Sequence, residues 1–212
     1  MNKSLQLRLK KLFDFVFGMF FLIFFSPLIL LGVFLVLIDS PGPAFFAQER
    51  IGRNRKKFIC YKLRSMYTGS SDKVHREYIK KLMREDLNNG ISQKGIYKLQ
   101  NDDRITCAGR IMRRLSIDEF PQLFNVVKGD MSLVGPRPAI EYELEFYTPD
   151  MFKRFSANPG ITGLWQVGGR SGLTYRQMVE KDLLYIQDWS FWLDLKILMK
   201  TALYILNISR AY

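Results

Sequence analysis

FVFGMFFLIFFSPLILLGVFLVLI, residues 15–38, runs for 24 residues without a charged side chain and holds seven of the chain's 17 phenylalanines. A straight helix of that length would reach ~36 Å, enough to cross a bilayer core. A secretory signal peptide is a poor reading, because its apolar region spans only ~7–15 residues and a small-x-small cleavage site follows it. Two features argue against a simple crossing. Ser26-Pro27 falls near the middle, where proline removes a backbone donor and kinks a helix. The flanks are both basic: residues 1–11 carry +4 with no acid, and residues 50–64 carry +7 with no acid. A true span shows an asymmetry of Lys and Arg between its two sides. A helix-break-helix that enters and leaves one leaflet fits both facts, and a Pro-kinked span with a basic loop downstream is the alternative.

The breaker Ile38-Asp39-Ser40-Pro41-Gly42-Pro43 closes this segment. The division expected is therefore residues 1–39, a basic flank with a re-entrant membrane helix, and residues 40–212, a membrane-associated domain. A length of 212 residues suits one domain with a real core. The net charge of +12, with 48% hydrophobic residues, excludes a disordered polycation and first suggests nucleic acid or an anionic membrane as partner. The two basic flanks account for most of that charge, leaving 21 basic against 20 acidic residues elsewhere. That concentration fits anionic lipid headgroups, which attract such flanks at ~1 kcal/mol per basic residue. His75, Cys60 and Cys107 are too few for an ordinary structural zinc site, and a His-dependent triad would rest on His75 alone. Two cysteines 47 positions apart suit a reducing compartment.

Beyond residue 43 the patterns read as α+β, mainly helical, with a small β element. Phe45-Phe46 and Phe58-Ile59-Cys60-Tyr61 are short strands around a basic turn at Gly52-Arg53-Asn54. Helices are expected at 71–87, stopped by Asn88-Asn89-Gly90, and at 108–115, 120–127, 141–155 with a break at Pro149, and 173–189. Residues 189–204 mix Trp189, Trp192 and Leu198 with Asp194, Lys196 and Lys200. Those charges make a span expensive, leaving an amphipathic interface helix or an ordinary core helix.

The densest chemistry lies at 110–122, where Arg110, Arg113 and Arg114 lead into the adjacent carboxylates Asp118 and Glu119. Pro121 cannot sit deep in a helix, so a helix starts just before it. Ser116 with Glu119 matches a capping box, and Asp118 is itself a possible cap. Either register puts both acids in a first turn, where a helix dipole favours anions. The plain reading is capping, paired with Arg113 or Arg114. Against it stand the stiff turn Gly135-Pro136-Arg137-Pro138 and the tight turns at 159–163 and 168–170, which bring Arg137 and Arg170 to rigid backbone. Arginines, two carboxylates and a membrane anchor suggest handling of a phosphate ester at a bilayer. An aspartate can attack phosphorus, and a neighbouring Glu can hold a hard cation such as Mg²⁺.

The chain resembles the monotopic phosphoglycosyl transferases of bacteria, the polyprenyl-phosphate sugar-phosphate transferases, over essentially its whole length. The motifs carrying the resemblance are Phe25-Ser26-Pro27, Gln48-Glu49-Arg50-Ile51-Gly52, Tyr61-Lys62-Leu63-Arg64-Ser65-Met66, LSIDEFPQLFNV at 115–126, KGDMSLVGPRP at 128–138, PGITGLWQV at 159–167 and Asp194-Leu195-Lys196-Ile197-Leu198. The resemblance implies a transfer of sugar phosphate from a UDP-sugar to Asp118 with loss of UMP, then to undecaprenyl phosphate. It implies Mg²⁺ on Glu119, phosphate contacts from Arg113, Lys62, Arg64 and Arg137 (set between Pro136 and Pro138), and weaker nucleotide contacts from Gln166 and Arg170. Ser26-Pro27 would keep both termini on the cytoplasmic face of the bacterial inner membrane. The chain looks like the minimal catalytic form of the family, a monomer or homodimer without a nucleic-acid partner. It would initiate exopolysaccharide, capsule or lipopolysaccharide assembly with a sugar these motifs do not identify. Its rivals are a membrane-tethered nucleic-acid binder and a non-catalytic scaffold.

Overall fold

The computed structural model describes residues 3–70, 76, 77, 79–81, 83, 102–168 and 172–206. Helix α1 (Lys3–Phe24) begins well before the apolar run and stops at Phe25, and α2 (Ser26–Asp39) follows at a bend of 55°. In an unbroken helix the N–H of residue 27 would donate to the carbonyl of Ile23. Proline has no such donor, and Ser26 Oγ supplies the missing bond to Ile23 O at 2.7 Å. Pro27 thereby sits in the first turn of α2, where its fixed φ suits a helix start. Among the described residues no single helix is long and apolar enough to cross a membrane.

Strands β1 (Phe45–Ile51) and β2 (Lys57–Leu63) pair antiparallel, with Phe45 opposite Leu63 and Gln48 opposite Cys60, around a tight turn at Arg53–Arg55. Helix α3 (Cys107–Leu115) is followed by a single 3-10 turn, Ile117–Glu119, and then by α4 (Gln122–Lys128). Strands β3 (Ser132–Val134) and β4 (Gly160–Thr162) form a short parallel pair. Helices α5 (Leu164–Val167), α6 (Tyr175–Gln187) and α7 (Phe191–Leu206) complete the described chain. The fold is therefore α+β and mainly helical with small sheets, as the patterns indicated. The helix expected at 141–155 is instead two 3-10 segments, Glu141–Phe146 and Met151–Ser156, on either side of Thr148-Pro149. Of the helix expected at 71–87, residues 76, 77, 79–81 and 83 are helical; the rest, with His75 and the stop at 88–90, lie outside the described residues.

The principal core joins Cys60 of β2, Leu123 and Val126 of α4, Leu133 and Val134 of β3, Tyr185 of α6 and Ile197 of α7. Phe13, Phe21 and Leu22 of α1 pack on it. A second cluster joins Val36 of α2 to Ala44, Leu63, Ala108 and Met112. Both helices of the bent pair thus contribute to cores shared with later elements. Polar groups lock α1 as well. Lys10 Nζ meets Asp194 Oδ2 at 2.6 Å and Val134 O at 3.1 Å, and Asp14 accepts from Ser132 Oγ and Leu133 N. Tyr185 and Trp189 donate to the same Asp194 carboxylate. Helix α7 buries Asp194 and Ile197, as a core helix would, while Trp192, Met199 and Leu203 are strongly exposed.

Candidate active site

Asp118 and Glu119 stand in the 3-10 turn between α3 and α4. The expected capping box does not form. Ser116 adopts the left-handed conformation (φ 57°, ψ 21°) that ends α3, and its side chain makes no cap bond. Its N–H closes α3 against Met112 and Arg113 carbonyls instead. The two acids therefore sit in a junction, with α3 ending above them and α4 starting below at Pro121. Asp118 is 7% exposed, and Glu119 is half-buried.

Two elements bring cations to this turn. Lys62 of β2 donates to Glu119 Oε1 at 2.8 Å. Arg113, in the last turn of α3, donates from Nε to Ser65 Oγ at 2.7 Å. Burial pushes its guanidinium below the ordinary value, and the nearby charges of Asp118 and Asp102 oppose that shift. Arg137 lies in the turn after β3. The buried Cys60 thiol, on the same strand as Lys62, is raised by desolvation. Arginine and lysine side chains recognise phosphate oxygens by charge-assisted hydrogen bonds.

Backbone approaches make this geometry tight. A Cβ on Gly109 would fall 2.1 Å from Ser65 O, so only glycine lets the start of α3 lie against the chain that carries Ser65. A Cβ on Gly135 would fall 2.4 Å from Asn158 O, which seats the Pro136-Arg137-Pro138 turn directly on the segment before β4. Asn125 of α4 is fully buried; its Nδ2 donates to Ile59 O at 2.6 Å and its Oδ1 accepts from Tyr61 N at 3.1 Å. Its carboxamide therefore occupies the open edge of β2 as a neighbouring strand's peptide would.

The helix break adjoins the turn. The Phe25 ring lies 4.5 Å from that of Phe120, the residue after Glu119. A Cβ on Gly32 of α2 would meet Leu63 at 2.5 Å, with Met112 and Ile117 next. At the far end of α2, Asp39 Oδ2 accepts from Ala108 N at 2.9 Å, capping α3. Thr106 and Ala108 hold the Asp39 carboxyl below the usual range.

Not every residue expected at the site faces it. Arg64 is buried and closes the end of α2: Nη1 donates to Pro41 O and Nη2 to Ser40 O. Its guanidinium thus serves the three consecutive turn carbonyls of Ser40, Pro41 and Gly42. Gln166 of α5 donates to Ile161 O at 3.0 Å. Arg170 lies outside the described residues. Sequence reasoning missed Ser65, Asn125 and Glu143, whose carboxylate receives Arg137 Nη1 at 3.1 Å. Buried carboxylates require partners, but nothing local in the chain announces that Glu143 is buried. For a cation, the described residues gather no group of three or more His, Cys, Asp or Glu. The adjacent oxygen donors Asp118 and Glu119 suit a hard ion such as Mg²⁺, which keeps several waters and takes one or two carboxylates plus substrate phosphates.

A protein-family model described as bacterial sugar transferase matches residues 5–208. The chain is 45% identical over 204 residues to the undecaprenyl-phosphate galactose phosphotransferase of Salmonella typhimurium, covering 96% of this chain and 42% of that protein. It is 41% identical over 194 residues to the exopolysaccharide production protein ExoY of Rhizobium meliloti, covering 91% and 83%. It is 40% identical over 212 residues to the UDP-glucose:undecaprenyl-phosphate glucose-1-phosphate transferase of Caulobacter vibrioides, covering 96% and 72%. The chain thus spans about two fifths of the Salmonella relative and most of the Rhizobium one.

Proposed function

The chain belongs to the bacterial sugar transferase family, and from that premise we propose that it transfers a sugar 1-phosphate from a UDP-sugar to undecaprenyl phosphate. The observation that carries this reading is the packing of a bent apolar helix pair directly onto the turn of buried Asp118 and half-buried Glu119, which Lys62 and Arg113 flank. Such a site can meet a water-soluble phosphate donor and a lipid phosphate at once. The relatives' names, which pair undecaprenyl phosphate with galactose or glucose, support the same acceptor and donor classes.

In the first step an Asp118 carboxylate oxygen attacks the phosphorus that bears the sugar. The bond from that phosphorus to the bridging oxygen breaks, and UMP departs with the electron pair. In the second step a phosphate oxygen of the lipid attacks the same phosphorus. The bond to Asp118 then breaks, regenerating the carboxylate and yielding polyprenyl diphosphate sugar. Arg113 and Lys62 offset the charge of the transferred group, and Arg137 binds the donor phosphate. Mg²⁺ bound by Glu119 would neutralise pyrophosphate oxygens of the leaving group. Residues 1–39 anchor the protein and residues 40–212 carry the chemistry. The exposed Ile111 and Leu115 of α3 and Trp192, Met199 and Leu203 of α7 support seating on one leaflet, the cytoplasmic face of a bacterial cell membrane.

The test is UMP release by the purified full chain in nanodiscs with undecaprenyl phosphate, Mg²⁺ and a panel of UDP-sugars. Release is expected with at least one donor, and Asp118→Asn should abolish it. Full activity in that variant would refute the covalent step. Single cysteines placed at residues 2 and 54 should label from the same side of the membrane; labelling from opposite sides would refute the one-leaflet seating.

A further inference from the structure

The turn Gly135-Pro136-Arg137-Pro138 is held by a buried charge cluster that the transfer chemistry does not itself require. Glu143 is 0% exposed. Its Oε1 accepts from Arg137 Nη1 at 3.1 Å, and its Oε2 accepts from Ile140 N at 3.2 Å and Tyr175 Oη at 3.3 Å. Behind it, Arg154 donates from Nη2 to Arg137 O at 2.8 Å and to Asp182 Oδ2 of α6 at 2.5 Å. Arg50 fixes the other end of the turn by donating to Pro138 O at 3.1 Å. The side chains of Glu143, Arg154 and Asp182 are 0%, 3% and 1% exposed, whereas that of Arg137 is 22% exposed. Glu143 and Asp182 balance Arg137 and Arg154, and Arg137 is the one of these four that reaches solvent. A carboxylate removed from water on all sides costs several kcal/mol unless its partners are well placed. That cost is spent here on one partly exposed guanidinium.

We propose that Glu143 is a positioning residue: its buried carboxylate orients the Arg137 guanidinium toward the phosphate of the donor. An arginine between two prolines has a stiff backbone but a side chain with several rotatable bonds. The Glu143 contact removes that remaining freedom before the donor arrives, which is how a supporting partner improves binding without touching the ligand. The inference rests on the transferase reading above.

The experiment is a double-mutant cycle on the full chain in nanodiscs, with UMP release measured against donor concentration at fixed undecaprenyl phosphate. Glu143→Gln should raise the donor KM about tenfold, a coupling of ~1.4 kcal/mol, with kcat within about twofold. Arg137→Ala should raise KM at least as far. In the Arg137→Ala background, Glu143→Gln should add no further change, because the residue acts only through that arginine. Glu143→Asp, which keeps the charge but is too short to reach, should follow Glu143→Gln and serves where the glutamine variant fails to fold. An equal KM change in both backgrounds, or a loss of kcat at unchanged KM, would overturn the proposal while leaving the transferase reading intact. No UMP from the parent with any donor would sink that reading, and the proposal with it.

Discussion

Asn125 sets the spacing between the acidic turn and the strand that supplies Lys62, and replacing it tests that idea. Its carboxamide donates to Ile59 O and accepts from Tyr61 N on either side of Cys60, one residue short of Lys62. Both backbone groups face away from β1, and β2 has no second strand on that edge among the described residues. Asn125→Leu keeps the side-chain volume but leaves the part-buried Tyr61 N–H and Ile59 C=O unmet. A fully buried group costs ~1–3 kcal/mol, so two part-buried ones together cost ~2 kcal/mol. For a chain of this size each kcal/mol moves the midpoint by about 2–4 °C, so the Tm should drop by at least about 4 °C. Asn125→Asp should fall at least as far near neutral pH, since it keeps the acceptor for Tyr61 but turns a carboxylate oxygen toward Ile59 O. That variant should recover as pH falls, because a protonated carboxyl can donate to Ile59 O again. The assay is thermal unfolding of the detergent-solubilised full chain, followed by tryptophan emission at several pH values. A Tm for Asn125→Leu within about 2 °C of the parent would show that water or a rearranged strand replaces the side chain, and the strand-mimic account would be abandoned.

Two further outcomes follow from the contacts of the bent helix pair. Thr106 and Ala108 depress the folded pKa of Asp39, so its contribution to stability is present above the ordinary carboxylate pKa and is lost as pH falls through the lower folded value. The Tm difference between the parent and Asp39→Asn should therefore shrink from pH 7 toward pH 3, and a constant difference would count against the cap. Lys10→Met should destabilise by ~3–5 kcal/mol in denaturant titration, because it strands the buried Asp194 carboxylate. The double variant Lys10→Met with Asp194→Asn should regain part of that loss, and strict additivity would contradict a direct pairing.

Much of this fold is written in continuous local patterns. The apolar run with Ser26-Pro27, the basic hairpin turn and the two helices bracketing Asp118 each rest on neighbouring residues, and the structure follows them. What escaped the sequence depends on partners far along the chain. Lys10 and Asp194 are 184 positions apart, and nothing near either one signals that they meet in a core. Strands β3 and β4 have three residues each, too few for an alternation to register. At 116–119 the capping pattern misled for a specific reason. Ser-x-x-Glu also fits a chain that leaves one helix through a left-handed residue before entering the next, and tertiary packing decides between the two. The 141–155 segment has helical periodicity, but Glu143 is drawn to Arg137 and Ile140, and Pro149 blocks the continuation. Only the family resemblance suggested Arg64 as a phosphate contact, and the breaker at 40–43 leaves carbonyls that this arginine satisfies.

The one-leaflet seating proposed above draws its strongest support from the direction in which α2 runs. Its start touches Phe120, its middle at Gly32 lies against Ile117 and Met112, and its end at Asp39 caps α3 at Ala108. The contacts therefore descend the chain from 120 to 108 as α2 ascends from 25 to 39, so the whole support of Asp118 lies antiparallel along one helix. Straightened into a continuation of α1, these 14 residues would extend ~21 Å away from that support. The cluster of Val36, Ala44, Leu63, Ala108 and Met112 would then lose its α2 face. Burial of each larger side chain contributes ~1.5–3 kcal/mol, so the loss would consume much of a domain's net stability. A bend is thus required by the acidic turn before any membrane is considered. Ser26 and Pro27 accomplish it at the cost of one backbone donor, which the serine hydroxyl replaces. The same break brings Phe25 onto Phe120, so the bend between α1 and α2 and the placement of Asp118 are consequences of one local choice of sequence.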